Sequence, residues 1–104
     1  MAKKAFDTLT ETMLYVLMSF QNRDMCGTEI ADHVKRLTNG RVRIGPGTLY
    51  TILSNFQKEG FIKRKETQGR TITYSLTAKG LQVYLDEIQR LKQCLEDAGK
   101  EAQQ

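Results

Sequence analysis

Gly47, Thr48, Thr51, Ser54, Asn55 and Lys58 recur at intervals of three and four, so a helix over this stretch gathers them on one face, with Tyr50 and Gln57 on its flanks. The chemistry such a face offers is short-range hydrogen bonding. Small hydroxyls and amides approach phosphate oxygens and base edges closely, and lysine adds a cation that a polyanion attracts. No acidic residue interrupts the stretch before Glu59. A second basic group follows: Lys63 and Lys65 share one side of the next segment, with Arg64 on the other, and Arg70 stands directly after Gly69.

Other chemistries find no support. Cys26 and Cys94 stand in no metal-ligand spacing with the single histidine, His33. Ser54 has no histidine at a suggestive spacing, and Asp32-His33 reads as a solvated helix face. There is no phosphate-binding loop. We therefore expect no enzyme, metal or cofactor, and two free thiols.

The elements that must position the polar face follow from periodicity. Thr8-Leu9-Thr10-Glu11 fits a capping box, so the first helix is expected to start at Thr8 and run to about Gln21. Leu9, Met13, Val16, Leu17 and Phe20 fall on one face, and Leu14, Tyr15 and Met18 widen it. A face that broad implies burial on two sides, the second against another subunit or a ligand. A second helix spans about Gly27 to Thr38, with Ile30, Val34 and Leu37 inward and Asn39-Gly40 closing it. The third runs from Pro46, suited to a first turn, to about Glu59, with Gly60 ending it and Leu49, Ile52, Leu53 and Phe56 inward.

The period then drops to two. Ile62, Arg64 and Glu66 alternate with Lys63 and Lys65, and Ile72, Tyr74 and Leu76 alternate with Thr71, Thr73 and Ser75, around Thr67-Gln68-Gly69-Arg70. This is a two-stranded hairpin. Thr77 caps a last helix to about Asp97, with Gly99 just past its end. Leu81, Tyr84, Ile88, Leu91 and Leu95 form an a/d seam of two heptads, the pattern of a helix packed along another helix.

At 104 residues the chain suits one structural unit with a modest core, which a second copy would supplement. Residues 35–70 carry nine cations against two anions, whereas residues 71–104 are close to neutral, so the middle of the chain is basic and the C-terminal third is not. The longest apolar run, Met13 to Met18, is far short of a membrane span, and a cytoplasmic protein without a membrane partner is expected. Three helices followed by a hairpin is the winged helix-turn-helix order. The expected fold class is α+β, mostly helical, with a winged-helix DNA-binding unit over residues 1–76 and a C-terminal dimerisation helix and tail over residues 77–104. The competing reading is a winged-helix protein–protein module. A docking face should show apolar anchors, and the third helix shows none beyond Tyr50.

Pro46-Gly47-Thr48-Leu49-Tyr50 with Leu53, Glu59-Gly60 and Ile62 resembles the signature of the PadR family of transcriptional regulators, and Gly69-Arg70 through Tyr74-Ser75-Leu76-Thr77-Ala78-Lys79-Gly80 is similar to its second motif. Gly27 with Glu29-Ile30 matches the start of its second helix. The resemblance implies a homodimeric repressor on a pseudo-palindromic double-stranded operator, relieved by a small molecule or stress. It puts Thr48 and Tyr50 near phosphates and Arg70 in the wing. The chain departs from the family in having Thr28 where Tyr is common, Thr51 where Pro is common, and one Tyr74 in place of a Tyr-Tyr pair. It has no Trp, so a drug sandwiched between dimer tryptophans does not carry over.

The residues expected at DNA are thus Gly47, Thr48, Tyr50, Thr51, Ser54, Asn55, Lys58, Lys63, Lys65 and Arg70. The dimer interface is expected to use Leu81, Tyr84, Ile88, Leu91 and Leu95 with Met13 and Leu17 of the first helix. Phe6, Met13, Met18 and Tyr84 would line a pocket there for a small hydrophobic or aromatic effector.

Overall fold

In the computed structural model, which describes residues 9–103, the first helix is capped by Thr10, whose hydroxyl accepts the Met13 backbone N–H at 3.1 Å. Thr8, the expected cap, lies outside the described residues, as does Phe6. Helix α1 covers Glu11–Ser19, ending short of Gln21. Because the cap is two residues later than expected, Glu11 occupies the first helical position and reaches Arg41 at 2.9 Å instead of closing a capping box. Its broad apolar face is explained within one chain, since α1 packs against both helix α2 (Gly27–Leu37) and helix α4 (Ala78–Ala102).

Helix α2 opens on Cys26, whose backbone N–H donates to Glu29 at 2.9 Å. It closes through Asn39 and Gly40, both at positive φ, whose N–H groups donate to Arg36 and Lys35 carbonyls at 3.2 and 2.8 Å. This double closure satisfies carbonyls that a bare helix end leaves open. Leu37, expected inward, is 52% exposed, while Ile30 and Val34 are buried and Ala31 packs against the core. Helix α3 runs Pro46–Lys58 with Glu59 as its C-cap. It ends by the same device: Gly60 N–H donates to Gln57 O and Phe61 N–H to Phe56 O, while the two phenyl rings meet at 5.6 Å.

The hairpin consists of β2 (Ile62–Gln68) and β3 (Thr71–Leu76). A further strand, β1 (Met25–Cys26), pairs antiparallel with β3 and completes a sheet of order β1-β3-β2. Strict alternation in β2 does not hold. Arg64 pairs with Tyr74 and Glu66 with Thr73, so Lys65 is an extra, bulged residue. Directly paired residues share a face. The bulge therefore takes Glu66 off the face of Ile62 and Arg64 and puts Thr67 there, opposite Ile72.

The core is one cluster in which Phe56, Leu17, Met25, Ile30, Ile62, Val16 and Val34 are the fully buried residues. Helix α4 does not stop at Asp97 but continues through Gly99 to Ala102. No Cβ placed on Gly99 would meet anything within 4 Å, so on this exposed turn its weak helix preference is tolerated. Among the described residues no helix is long and apolar enough to cross a membrane, and no metal-ligating cluster occurs.

Candidate nucleic-acid interface

Helix α3 buries Leu49, Ile52, Leu53 and Phe56, and this rotation fixes what it shows to solvent. Gly47, Thr48, Tyr50, Thr51, Ser54 and Lys58 are exposed together, and Asn55 is half-buried at the edge of the same face. Tyr50 is 76% exposed, the most exposed large apolar side chain on the described surface. Thr51 directs its hydroxyl back to the Gly47 carbonyl at 3.1 Å, so its donor is used within the helix and its methyl is left outward. Pro46 leads the first turn and Gly45 brings no capping side chain, which leaves the Gly47 and Thr48 N–H groups pointing out of the helix start. A Cβ at Gly47 would meet nothing within 4 Å, so the backbone there is open to close approach.

The hairpin stands beside this face. Gly69 turns it at a φ of 59°, and Arg70 follows at the exposed tip. The cations of the basic zone are sorted. Arg36 pairs with Asp32, Arg41 with Glu11, and Lys65 with Asp24 at 2.7 Å, while Arg43 donates to the Gly40 carbonyl. Lys35, Arg43, Lys58, Lys63, Arg64 and Arg70 have no ion pair among the described residues, and the last four of these lie on α3 or the hairpin. Lys65 is thus partly neutralised. Its hydrogen bond holds the Asp24 carboxyl below its ordinary range, and Asp24 in turn raises the Lys65 ammonium. That ion pair also ties the bulged residue to the chain just before β1.

Sequence reasoning missed Arg64. It lies opposite Tyr74 and lines a small recess with Tyr50, Ser54 and Gln57 of α3 and Ile72 and Tyr74 of β3. The bulge that isolates it from Glu66 leaves no mark in hydropathy. A larger apolar recess of about 250 Å³, between Thr28 and Ala31 of α2 and Pro46, Leu49 and Tyr50 of α3, was also unforeseen.

The expected dimer surface is redrawn. Leu17 is fully buried and Met13 nearly so within the chain's own core, so Leu17 offers a partner no surface. Tyr84, Ile88 and Leu91 are half-buried and pack toward the core, whereas Leu81, Leu85 and Leu95 are exposed at 38%, 48% and 73%. Leu85 was not foreseen. A groove of about 440 Å³ lies between α1 and α4, lined by Leu9, Leu14, Met18, Ile88 and Leu91 with Glu87 at its edge. Of the expected effector residues it brings in Met18, but neither Met13 nor Tyr84. Glu87 is buried and held by Arg90 at 2.6 Å, which keeps its carboxyl below the ordinary range despite burial.

Residues 14–86 match the profile of the transcriptional regulator PadR-like family. No curated protein sequence matches the chain. Among solved structures, a transcriptional regulator from Clostridium thermocellum is 22% identical with a TM-score of 0.77, over 85% of this chain and 89% of that one. A PadR family transcription regulator from Clostridium difficile R20291 is 16% identical with a TM-score of 0.75, over 89% and 99%. Bacillus subtilis PadR, solved in complex with operator DNA, is 22% identical with a TM-score of 0.69, over 79% of this chain and 48% of that longer one. At these identities the likeness establishes a shared winged-helix fold.

Proposed function

Because the chain belongs to the PadR-like family of transcriptional regulators, we propose that it binds double-stranded DNA through α3 and the hairpin and represses transcription as a homodimer. The observation that carries the DNA reading is the character of the α3 face and the charge beside it. A small, polar, acid-free helix face lies beside four cations that the described chain leaves unpaired. The fold shared with Bacillus subtilis PadR, whose structure contains operator DNA, supports the same assignment.

In this reading α3 enters the major groove, with Gly47, Thr48, Tyr50, Thr51, Ser54, Asn55 and Lys58 toward bases and phosphates, while Lys63, Lys65 and Arg70 follow the backbone. Two copies would set their α3 helices about 34 Å apart on a pseudo-palindromic operator. The exposed leucines Leu81, Leu85 and Leu95 on α4 support pairing with a second copy. The groove between α1 and α4 is the place for a small hydrophobic or aromatic effector. A thermal-shift screen with phenolic acids and hydrophobic cations tests that part, and no shift with either class would remove it.

The DNA assignment is tested by fluorescence anisotropy on a labelled duplex from just upstream of the protein's own coding region. Lys58→Ala and Arg70→Ala should each weaken binding and flatten its salt dependence. Wild-type affinity and salt slope in both variants would show that the face is wrong.

A further inference from the structure

We propose that Arg64 and the recess it closes between α3 and the hairpin form a seat for one backbone phosphate of the bound duplex. The inference rests on the DNA reading above and adds to it a specific contact for a residue given none there. Arg64 lies on the same sheet face as Ile62, Tyr74 and Leu76. Ile62 is in the core, and Tyr74 and Leu76 are packed against it. Arg64 is exposed, so it stands where that face runs out from beneath α3.

The recess has a volume of about 120 Å³ and is lined by Tyr50, Ser54, Gln57, Arg64, Ile72 and Tyr74. Three hydroxyl-bearing residues, one amide and one guanidinium thus border a space of phosphate size. Arginine suits the task because its planar fork presents several N–H donors to phosphate oxygens at once. The Arg64 side chain makes no hydrogen bond or ion pair among the described residues. Because Lys65 is bulged, Glu66 pairs with Thr73 on the opposite face and cannot neutralise it. Position argues for phosphate over base. A residue between an element in the major groove and a wing beside it meets the strand that separates the two grooves.

The test uses the full chain and two duplexes, the upstream fragment and an unrelated mixed-sequence duplex of equal length. Arg64→Ala should weaken binding to both alike, on the order of tenfold per protomer. The slope of log K against log salt should fall by about 0.9 per protomer. Arg64→Lys should keep the slope, because it keeps the charge. The Arg64 side chain has no hydrogen-bond or ion-pair partner to lose among the described residues, and an unchanged melting temperature in each variant confirms that folding is intact. If Arg64→Ala binds like wild type with the same slope while Arg70→Ala is impaired, the seat is refuted and the DNA reading stands. If Arg64→Ala changes the preference between the duplexes with its slope unchanged, Arg64 reads bases and the phosphate assignment is wrong. If wild type binds neither duplex, the DNA reading fails and the seat with it.

Discussion

Gly80 and Gly99 stand in the same helix, and the structure predicts that alanine acts oppositely at the two. A Cβ on Gly80 would overlap the Phe61 carbonyl oxygen and stand 2.8 Å from Leu76 Cδ1 and 2.9 Å from the Phe61 carbonyl carbon. The leucine tip can rotate away, but the carbonyl cannot, because it accepts the Thr77 N–H at 3.0 Å and the Thr77 hydroxyl holds the neighbouring Gly60 carbonyl at 2.6 Å. Alanine gains about 1 kcal/mol of helix propensity over glycine. Overpacking a closed site costs about 1–3 kcal/mol, and here the obstacle is backbone, which argues for the upper part of that range. The steric effect wins, leaving a net loss of about 1–2 kcal/mol. For a domain of this size that is a fall in melting temperature of roughly 4–16 °C. At Gly99 nothing lies within 4 Å, so Gly99→Ala keeps the propensity gain, reduced by fraying in the last turn, and raises the melting temperature by up to about 4 °C. Thermal and urea unfolding at equal protomer concentration measure both. A Gly80→Ala variant as stable as wild type would refute the claim that α4 starts by close backbone contact with the base of the hairpin.

Further predictions follow from the same structure. Arg90→Ala leaves the buried Glu87 carboxylate without its partner and should lower the urea midpoint at pH 7, by a modest amount because the Arg90 head is half-exposed. Glu87 is held below its ordinary value, so its stabilising effect is present above that value and fades as pH falls through the depressed one. The gap between Arg90→Ala and wild type in urea midpoints should therefore close in acid. Leu85→Asp combined with Leu95→Asp should give a folded monomer in sedimentation velocity, since both side chains are already exposed within the chain. Gly47→Ala should leave the melting temperature unchanged or slightly raised, because its Cβ meets open space in the free protein, and should weaken DNA binding if the proposed α3 face meets DNA.

Much of the positioning machinery could be read from the residues. The α3 face was legible because a strict apolar stripe, Leu49, Ile52, Leu53 and Phe56, fixes the helix rotation and with it the opposite side. Asn39, Gly40 and Gly60 marked helix ends because they adopt positive φ at low cost. What escaped was set by pairing and not by pattern. Strand β1 has two residues, too few to show a period. The bulge at Lys65 depends on the partner strand, so alternation placed Glu66 beside Arg64 when the fold separates them. The cap moved from Thr8 to Thr10 because both threonines precede α1 and only the fold decides which hydroxyl meets a free N–H. The breadth of α1 pointed outward to a second subunit, yet α4 of the same chain covers much of it, which is why Leu17 is core.

The central claim is that α3 and the hairpin together hold duplex DNA, and hydroxyl-radical footprinting of the region upstream of the protein's own gene tests it most directly. Two protected patches are expected about one helical turn apart on one face of the duplex, weakened by Lys58→Ala and by Arg70→Ala at protein concentrations that protect fully with wild type. Cleavage unchanged along the whole fragment, at concentrations where the wild-type protein is folded and saturating, would contradict it.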